Sequence, residues 1–159
     1  MPSRMVSSSS SEPPRSGANG SSLAGGPREG FGTRPLRVYL VEDAPTFRDR
    51  LFDFLAEPGE VEMIGFAETE ADALRQLRTE PPDVVIVDLH LKAGSGIGVI
   101  ESVRAMRPTP PPTIVVLTNY AFPEFEVACR ARGANYFFDK SSQFGAVKAL
   151  LRSLRNSSQ

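Results

Sequence analysis

From Leu36 onward the chain alternates, five times over, between a short apolar run and a stretch of helical periodicity. The runs occupy 36–41, 61–67, 84–88, 113–117 and 135–138, and three of them are nearly continuous in Val, Ile and Leu. A strand that is apolar on both sides must be covered on both sides, which is the situation inside a parallel sheet. Between the runs, Phe47, Leu51, Phe54 and Leu55 form one apolar helical stripe, with Pro45 in the first turn. Thr69 is placed to cap a second helix that buries Ala73, Leu74 and Leu77. Ile100 and Val103 mark a third, ended by Pro108 and the prolines at 110–112. A fourth stops near Gly133, and a fifth carries Phe144, Val147, Leu151 and Leu154 on one face. Five such βα units in about 120 residues predict a three-layer α/β/α sandwich around a five-stranded parallel sheet with right-handed crossovers.

Composition sets the domain limits and narrows the chemistry. Residues 1–35 hold nine Ser, six Gly and five Pro with almost no large apolar side chains, too little to offset chain entropy, so they read as a disordered tail. The domain is expected over 36–155, with 156–159 as a short C-terminal tail. Nineteen carboxylates against 18 Lys and Arg give a net charge of −1, which argues against a general nucleic-acid or membrane-surface binder. One cysteine, Cys129, excludes an internal disulfide and a Cys-rich zinc site, and reads as a small buried residue. One histidine, His90, makes a multi-His metal centre or a Ser-His-Asp triad implausible. No apolar run reaches the roughly 18 residues that span a bilayer, and no apolar signal core is present, so a cytoplasmic protein is expected.

In an open parallel sheet the functional crevice lies beyond the carboxyl ends of the strands. Glu42 and Asp43 follow the first run, Asp88 ends the third, Thr118 follows the fourth and Lys140 follows the fifth. Each alone has a plain structural explanation, as a helix cap, a turn residue or a solvated lysine. All of them at consecutive strand ends form a set. Three clustered carboxylates need a cation or a proton between them, and hard oxygen donors suit Mg²⁺. Asp88 is then the nucleophile toward a phosphoryl group, Asp43 and Glu42 hold the metal (Glu42 through water), and Lys140 neutralises phosphoryl charge. The Thr118 hydroxyl can donate a hydrogen bond to the new group.

These residues resemble the receiver domain of two-component response regulators, the CheY-like, flavodoxin-type family. The matching stretches are VYLVED at 38–43, VVIVDLH at 84–90, VVLT at 115–118 and FFDK at 137–140. Asp43, Asp88, Thr118 and Lys140 stand at intervals of 45, 30 and 22, and Gly96 follows Asp88 by eight, as in that family. The resemblance implies a strand order of 2-1-3-4-5. It implies a phosphohistidine on a sensor histidine kinase or histidine phosphotransfer protein as donor to Asp88. It adds the backbone carbonyl of His90 to the Mg²⁺ ligands. It makes Thr118 and Phe137 the switch pair, and His90 and Tyr120 the positions that tune phosphoryl lifetime, with Tyr120 bulky enough to shield the group. Three residues depart from the family pattern: Phe137 where many relatives carry Tyr, Asn119 where a very small residue is usual, and Ser141 where proline is common.

With no DNA-binding motif or second domain following the last helix, a stand-alone bacterial regulator is expected. It would catalyse only its own phosphotransfer and dephosphorylation, and signal by protein contact through helix four, strand five and helix five. Phe122, Phe125 and Tyr136 fit either a docking face there or local packing. The alternative is a receiver-like interaction module that works without phosphorylation. Enzyme readings find little support: Gly94-Ser95-Gly96-Ile97-Gly98 fails the dinucleotide spacing at its third glycine, with Ser95 and Gly98 reading as loop residues, and His90 stands where a dehalogenase-like phosphatase would need a second Asp.

Overall fold

The computed structural model describes residues 34–157. The expected tail at 1–35 lies outside the described residues except for Arg34 and Pro35, and 158–159 lie outside them too. Strands β1 (Leu36–Val41), β2 (Val61–Ala67), β3 (Val84–Val87), β4 (Thr113–Thr118) and β5 (Tyr136–Asp139) alternate with helices α1 (Pro45–Leu55), α2 (Glu70–Thr79), α3 (Gly96–Met106), α4 (Pro123–Ala131) and α5 (Phe144–Ser157). All strand pairs are parallel, and the order is β2-β1-β3-β4-β5. This is the predicted architecture.

The sheet separates two apolar layers because alternate side chains leave a strand on opposite faces. Tyr39, Val41, Val85, Val87, Ile114, Val116 and Phe137 join α2, α3 and α4 through Ala73, Leu77, Val99, Ile100, Val103 and Cys129. Val38, Leu40, Val84, Ile86, Val115 and Leu117 face the other way, onto Leu51 and Leu55 of α1 and Val147 and Leu151 of α5. Every residue of β3 is buried, as a central strand requires. Full burial of an aliphatic side chain contributes about 1.5–3 kcal/mol, so these two layers dominate the domain's stability.

Element ends follow local chemistry. Pro45 opens α1, and the Thr69 hydroxyl accepts the Asp72 N–H at 3.2 Å to cap α2. Ser95 caps α3 through Gly98 N–H at 3.0 Å. At the far end of α3, Arg107 turns left-handed at φ 51 before Pro108. Gly133, at φ 119, follows α4 as expected. Several boundaries differ from the sequence reading. Asp88 lies one residue past β3, β4 runs one residue further, to Thr118, and β5 starts and ends one residue later, at Tyr136 and Asp139. Helix α5 continues through Ser157, past the boundary expected at 155. Gly96 opens α3, as the family pattern implies, and Gly98 lies in the first turn of that helix and is not a loop residue.

Candidate functional site

The carboxyl ends of β1, β3, β4 and β5 bring the sequence-selected groups together. Asp88 extends the central ladder, its N–H donating to the Val41 carbonyl at 3.0 Å. The Lys140 N–H donates to the Thr118 carbonyl at 2.9 Å, so β4 and β5 remain zipped where the lysine leaves. From there Lys140 Nζ donates to Asp88 Oδ2 at 2.7 Å and stands 2.8 Å from Glu42 Oε1. Glu42 is 1 % exposed and Asp88 8 %. The other Glu42 oxygen accepts the Ala44 N–H at 3.1 Å, and Asp43 is half-buried beside it. The Lys140 ammonium also rests 4.3 Å from the centre of the Phe47 ring.

The electrostatics follow from this packing. Burial pushes the Glu42 carboxyl up, opposed by the Lys140 hydrogen bond. For Lys140, burial pulls downward, but the bonds to Asp88 and Glu42 prevail and hold it above the usual lysine range. It therefore remains a cation at neutral pH.

One atom of the cluster is left over. Asp88 Oδ1 is buried and takes no hydrogen bond from the described residues. Glu42, Asp43 and Asp88 each offer a carboxylate oxygen within 4.8 Å of the others. A buried, unpartnered oxygen in a three-carboxylate hollow is what a hard divalent cation would satisfy, and the donor set fits Mg²⁺.

Around the rim, Thr118 is fully buried and its Oγ1 accepts the Tyr120 N–H at 3.1 Å, which leaves the hydroxyl hydrogen free to donate. The exposed rings of His90 and Tyr120 stack at 3.9 Å with 22° between planes, joining the loops that follow β3 and β4. Asn119 is exposed. Phe137 is only 9 % exposed and packs inside the α2–α4 layer. Among the described residues the one cis peptide bond is Thr109–Pro110; the Lys140–Ser141 bond is trans.

Gly96 explains itself here: a Cβ on it would overlap the Asp88 carbonyl oxygen, so only glycine lets α3 start against the backbone at Asp88. Cys129 is fully buried and its thiol is pushed up by desolvation, in keeping with a packing role. The aromatic set expected on the α4–β5–α5 face divides. Phe122 is exposed, Phe125 packs into the α2–α4 layer and Tyr136 packs on the opposite side of the sheet. The exposed apolar residues near α4 are instead Tyr120, Phe122 and Val127. Sequence reasoning missed Phe47 as a neighbour of Lys140, although its place four residues after Asp43 puts it one helical turn from the site.

Among the described residues no helix is long and apolar enough to cross a membrane. Residues 38–152 match the family model of the response regulator receiver domain. Over 99 residues the chain is 34% identical to a protein-glutamate methylesterase/protein-glutamine glutaminase of Anaeromyxobacter dehalogenans, covering 62% of this chain and 28% of that protein. Over 95 residues it is 37% identical to the sensory transduction protein LytT of Bacillus anthracis, covering 58% of this chain and 38% of that one. The match therefore spans about a third of the length of these relatives. The response regulator domain of Thermotoga maritima CheB has the same fold, with a TM-score of 0.65 at 21% identity over 78% of this chain and 96% of that one. On the family match, the strand order and the position of the acidic hollow, this chain belongs to the receiver domains of two-component response regulators.

Proposed function

We propose that the domain accepts a phosphoryl group on Asp88 from a phosphohistidine of a sensor histidine kinase or histidine phosphotransfer protein. The reading rests above all on the Asp88 carboxylate itself, buried with one oxygen on the Lys140 ammonium and the other unpartnered beside Glu42 and Asp43. An oxygen of Asp88 attacks phosphorus, a P–O bond forms, and the P–N bond to the donor histidine breaks with its electron pair passing to the imidazole nitrogen. Glu42, Asp43, Asp88 and the His90 carbonyl would hold Mg²⁺, which supplies positive charge to the phosphoryl oxygens. Lys140 exchanges its Asp88 contact for a phosphoryl oxygen, so it stabilises the charge that the transfer brings in. The Thr118 hydroxyl donates to another of these oxygens. The domain catalyses only its own phosphotransfer and dephosphorylation.

The output is protein contact through α4, β5 and α5, reached through Thr118 and Phe137. A dianionic group that draws Thr118 toward it loosens the Thr118–Tyr120 bond and with it the β4–α4 loop. One feature favours a second reading, an interaction module independent of phosphate: Phe137 has no hydroxyl, so no hydrogen bond from its side chain can hold a switched position. Incubation with acetyl phosphate and Mg²⁺, followed by intact-mass measurement, separates the two. The first reading expects one added phosphoryl mass in the wild type and none in Asp88→Asn. An unmodified wild type under conditions that label a control receiver supports the second.

A further inference from the structure

Within Gly94-Ser95-Gly96-Ile97-Gly98, the acceptor strand accounts for Gly96 alone. The other two glycines face a single carboxylate. Glu70, the first residue of α2, reaches the start of α3, where its Oε1 accepts the Ser95 N–H at 3.0 Å. A Cβ on Gly98 would lie 2.5 Å from each Glu70 carboxylate oxygen, and one on Gly94 would lie 2.7 Å from Oε1. Gly94 has φ 81 besides, a conformation glycine adopts without strain. The two glycines thus form a cradle for the carboxylate, at a helix N-terminus whose dipole favours negative charge. Ser95 already caps this helix with its own hydroxyl, so Glu70 acts as a clamp from a different element.

The clamp is the end of a longer seam. The Glu70 N–H donates to the Ala93 carbonyl at 3.0 Å, the Lys92 N–H donates to the Glu68 carbonyl at 3.3 Å, and Thr69 pairs with Ala93 as a parallel bridge. The Lys92 ammonium pairs with one oxygen of Glu68, and Arg48 of α1 holds the other at 3.1 Å. The β3–α3 loop is therefore fastened to the β2–α2 loop, and through Glu68 to α1. What the seam holds reaches the site directly. Gly96 N–H donates to the Leu89 carbonyl at 2.9 Å, Ser95 bridges to His90, and Gly96 sits against the Asp88 carbonyl.

We propose that Glu70 is a positioning residue for the metal and acceptor site: by clamping Ser95 between Gly94 and Gly98 it fixes the loop that carries the His90 carbonyl beside Asp88. This rests on the Mg²⁺ reading given above. A loop ordered before the ion arrives leaves less to be ordered on binding, and supporting groups behind a metal site commonly change affinity by about tenfold or more.

The test measures Mg²⁺ affinity of the full chain by calorimetry with no phosphodonor, together with amide hydrogen exchange at Ser95. Glu70→Ala is expected to weaken Mg²⁺ binding about tenfold and to speed exchange at Ser95. Glu70→Gln, which keeps a carbonyl acceptor and the side-chain shape, falls between it and wild type, and guards against a fold defect in the alanine variant. Gly98→Ala fills the cradle from the α3 side and reproduces the loss, whereas adding it to Glu70→Ala costs no further affinity. Equal Mg²⁺ affinity in wild type and Glu70→Ala overturns the proposal alone. A wild type that binds no Mg²⁺ overturns the metal reading and this proposal with it.

Discussion

The Lys140 ammonium lies over the face of Phe47, 4.3 Å from the ring centre, while it bonds Glu42 and Asp88 on its other side. Phe47 in turn meets Phe144 edge-on at 5.6 Å, so the floor beneath the lysine is the α1–α5 interface. Lysine is a flexible chain, and a buried cation–π contact worth about 0.5–2 kcal/mol narrows where its ammonium can go. Phe47→Leu keeps apolar bulk and removes the ring quadrupole. It is expected to slow phosphoryl uptake from acetyl phosphate by about 2-fold to 30-fold, with Phe47→Tyr close to wild type. Uptake rates with Leu equal to wild type would show that the ring only fills space.

Two glycines test the packing argument in opposite directions. Gly96→Ala drives a methyl into the Asp88 carbonyl, where backbone must shift, and is expected to cost about 1–3 kcal/mol or more and to disturb Mg²⁺ binding. Gly145, in the first turn of α5, has nothing within 4 Å of where its Cβ would go. Gly145→Ala therefore stabilises by about 0.4–1 kcal/mol, mainly by restricting the unfolded chain. Urea unfolding of both variants reads the signs; a destabilising Gly145→Ala would contradict the open space seen at that position.

Asp83 gives the fold a dependence on acid. Its oxygens accept both arms of Arg34 at 3.0 and 2.9 Å and the Arg37 N–H at 2.8 Å. Burial pushes this carboxyl up, but Arg34 and the Arg37 amide outweigh it and hold it below the usual carboxylate range. The folded state then binds its proton less readily than the unfolded state does. The stabilisation is complete above the unfolded value of about 4 and is lost as pH falls through the lower folded value. The difference in urea midpoint between wild type and Asp83→Asn should be widest near neutrality and shrink below about pH 4. Arg34 is largely exposed, so Arg34→Ala should cost no more than about 1 kcal/mol, and less in high salt. A midpoint gap unchanged down to strong acid would remove Asp83 from the acid response.

Most of the architecture was readable because both periodicities are clean. The all-aliphatic VVIV of β3 and the 3.6-residue stripe of α5 leave little choice of element, and the strand-end rule then gathers Glu42, Asp43, Asp88, Thr118 and Lys140 without coordinates. What was not readable depends on contacts between elements. Tyr136 and Phe125 look alike in sequence, yet they lie on opposite sides of the sheet: alternation along β5 turns Tyr136 toward α1 and α5, whereas Phe125 belongs to α4, which packs on the other face. Glu70 is one acidic residue in a helical first turn until α3 is placed beside it. The only trace of its role in the chain is the otherwise unexplained pair Gly94 and Gly98. Phe137 illustrates a different limit: its identity announces a missing hydroxyl, but only packing shows that the ring is buried.

His90 and Tyr120 are each two residues past a site group, Asp88 and Thr118, and their rings are stacked at 3.9 Å. The Tyr120 backbone is held from below by the Thr118 hydroxyl oxygen, so the stack is anchored to Thr118 as well as to the β3–α3 loop. A phosphoryl group on Asp88 would be hydrolysed by a water approaching between these loops, and a closed aromatic pair restricts that approach. Aromatic pairs contribute about 0.5–1.5 kcal/mol, which corresponds to about 2-fold to 10-fold in a rate governed by their opening. Tyr120→Ala is accordingly expected to shorten the lifetime of the phosphorylated protein by that factor in Mg²⁺, and Tyr120→Phe, which keeps the stack, to leave it near wild type. Lifetimes are read from the decay of the phosphoryl adduct by intact mass after donor removal. Decay in Tyr120→Ala as slow as in wild type, or slower, would mean that the pair does not screen the acceptor, and that attack by water is limited by the positions of Lys140 and Thr118 instead.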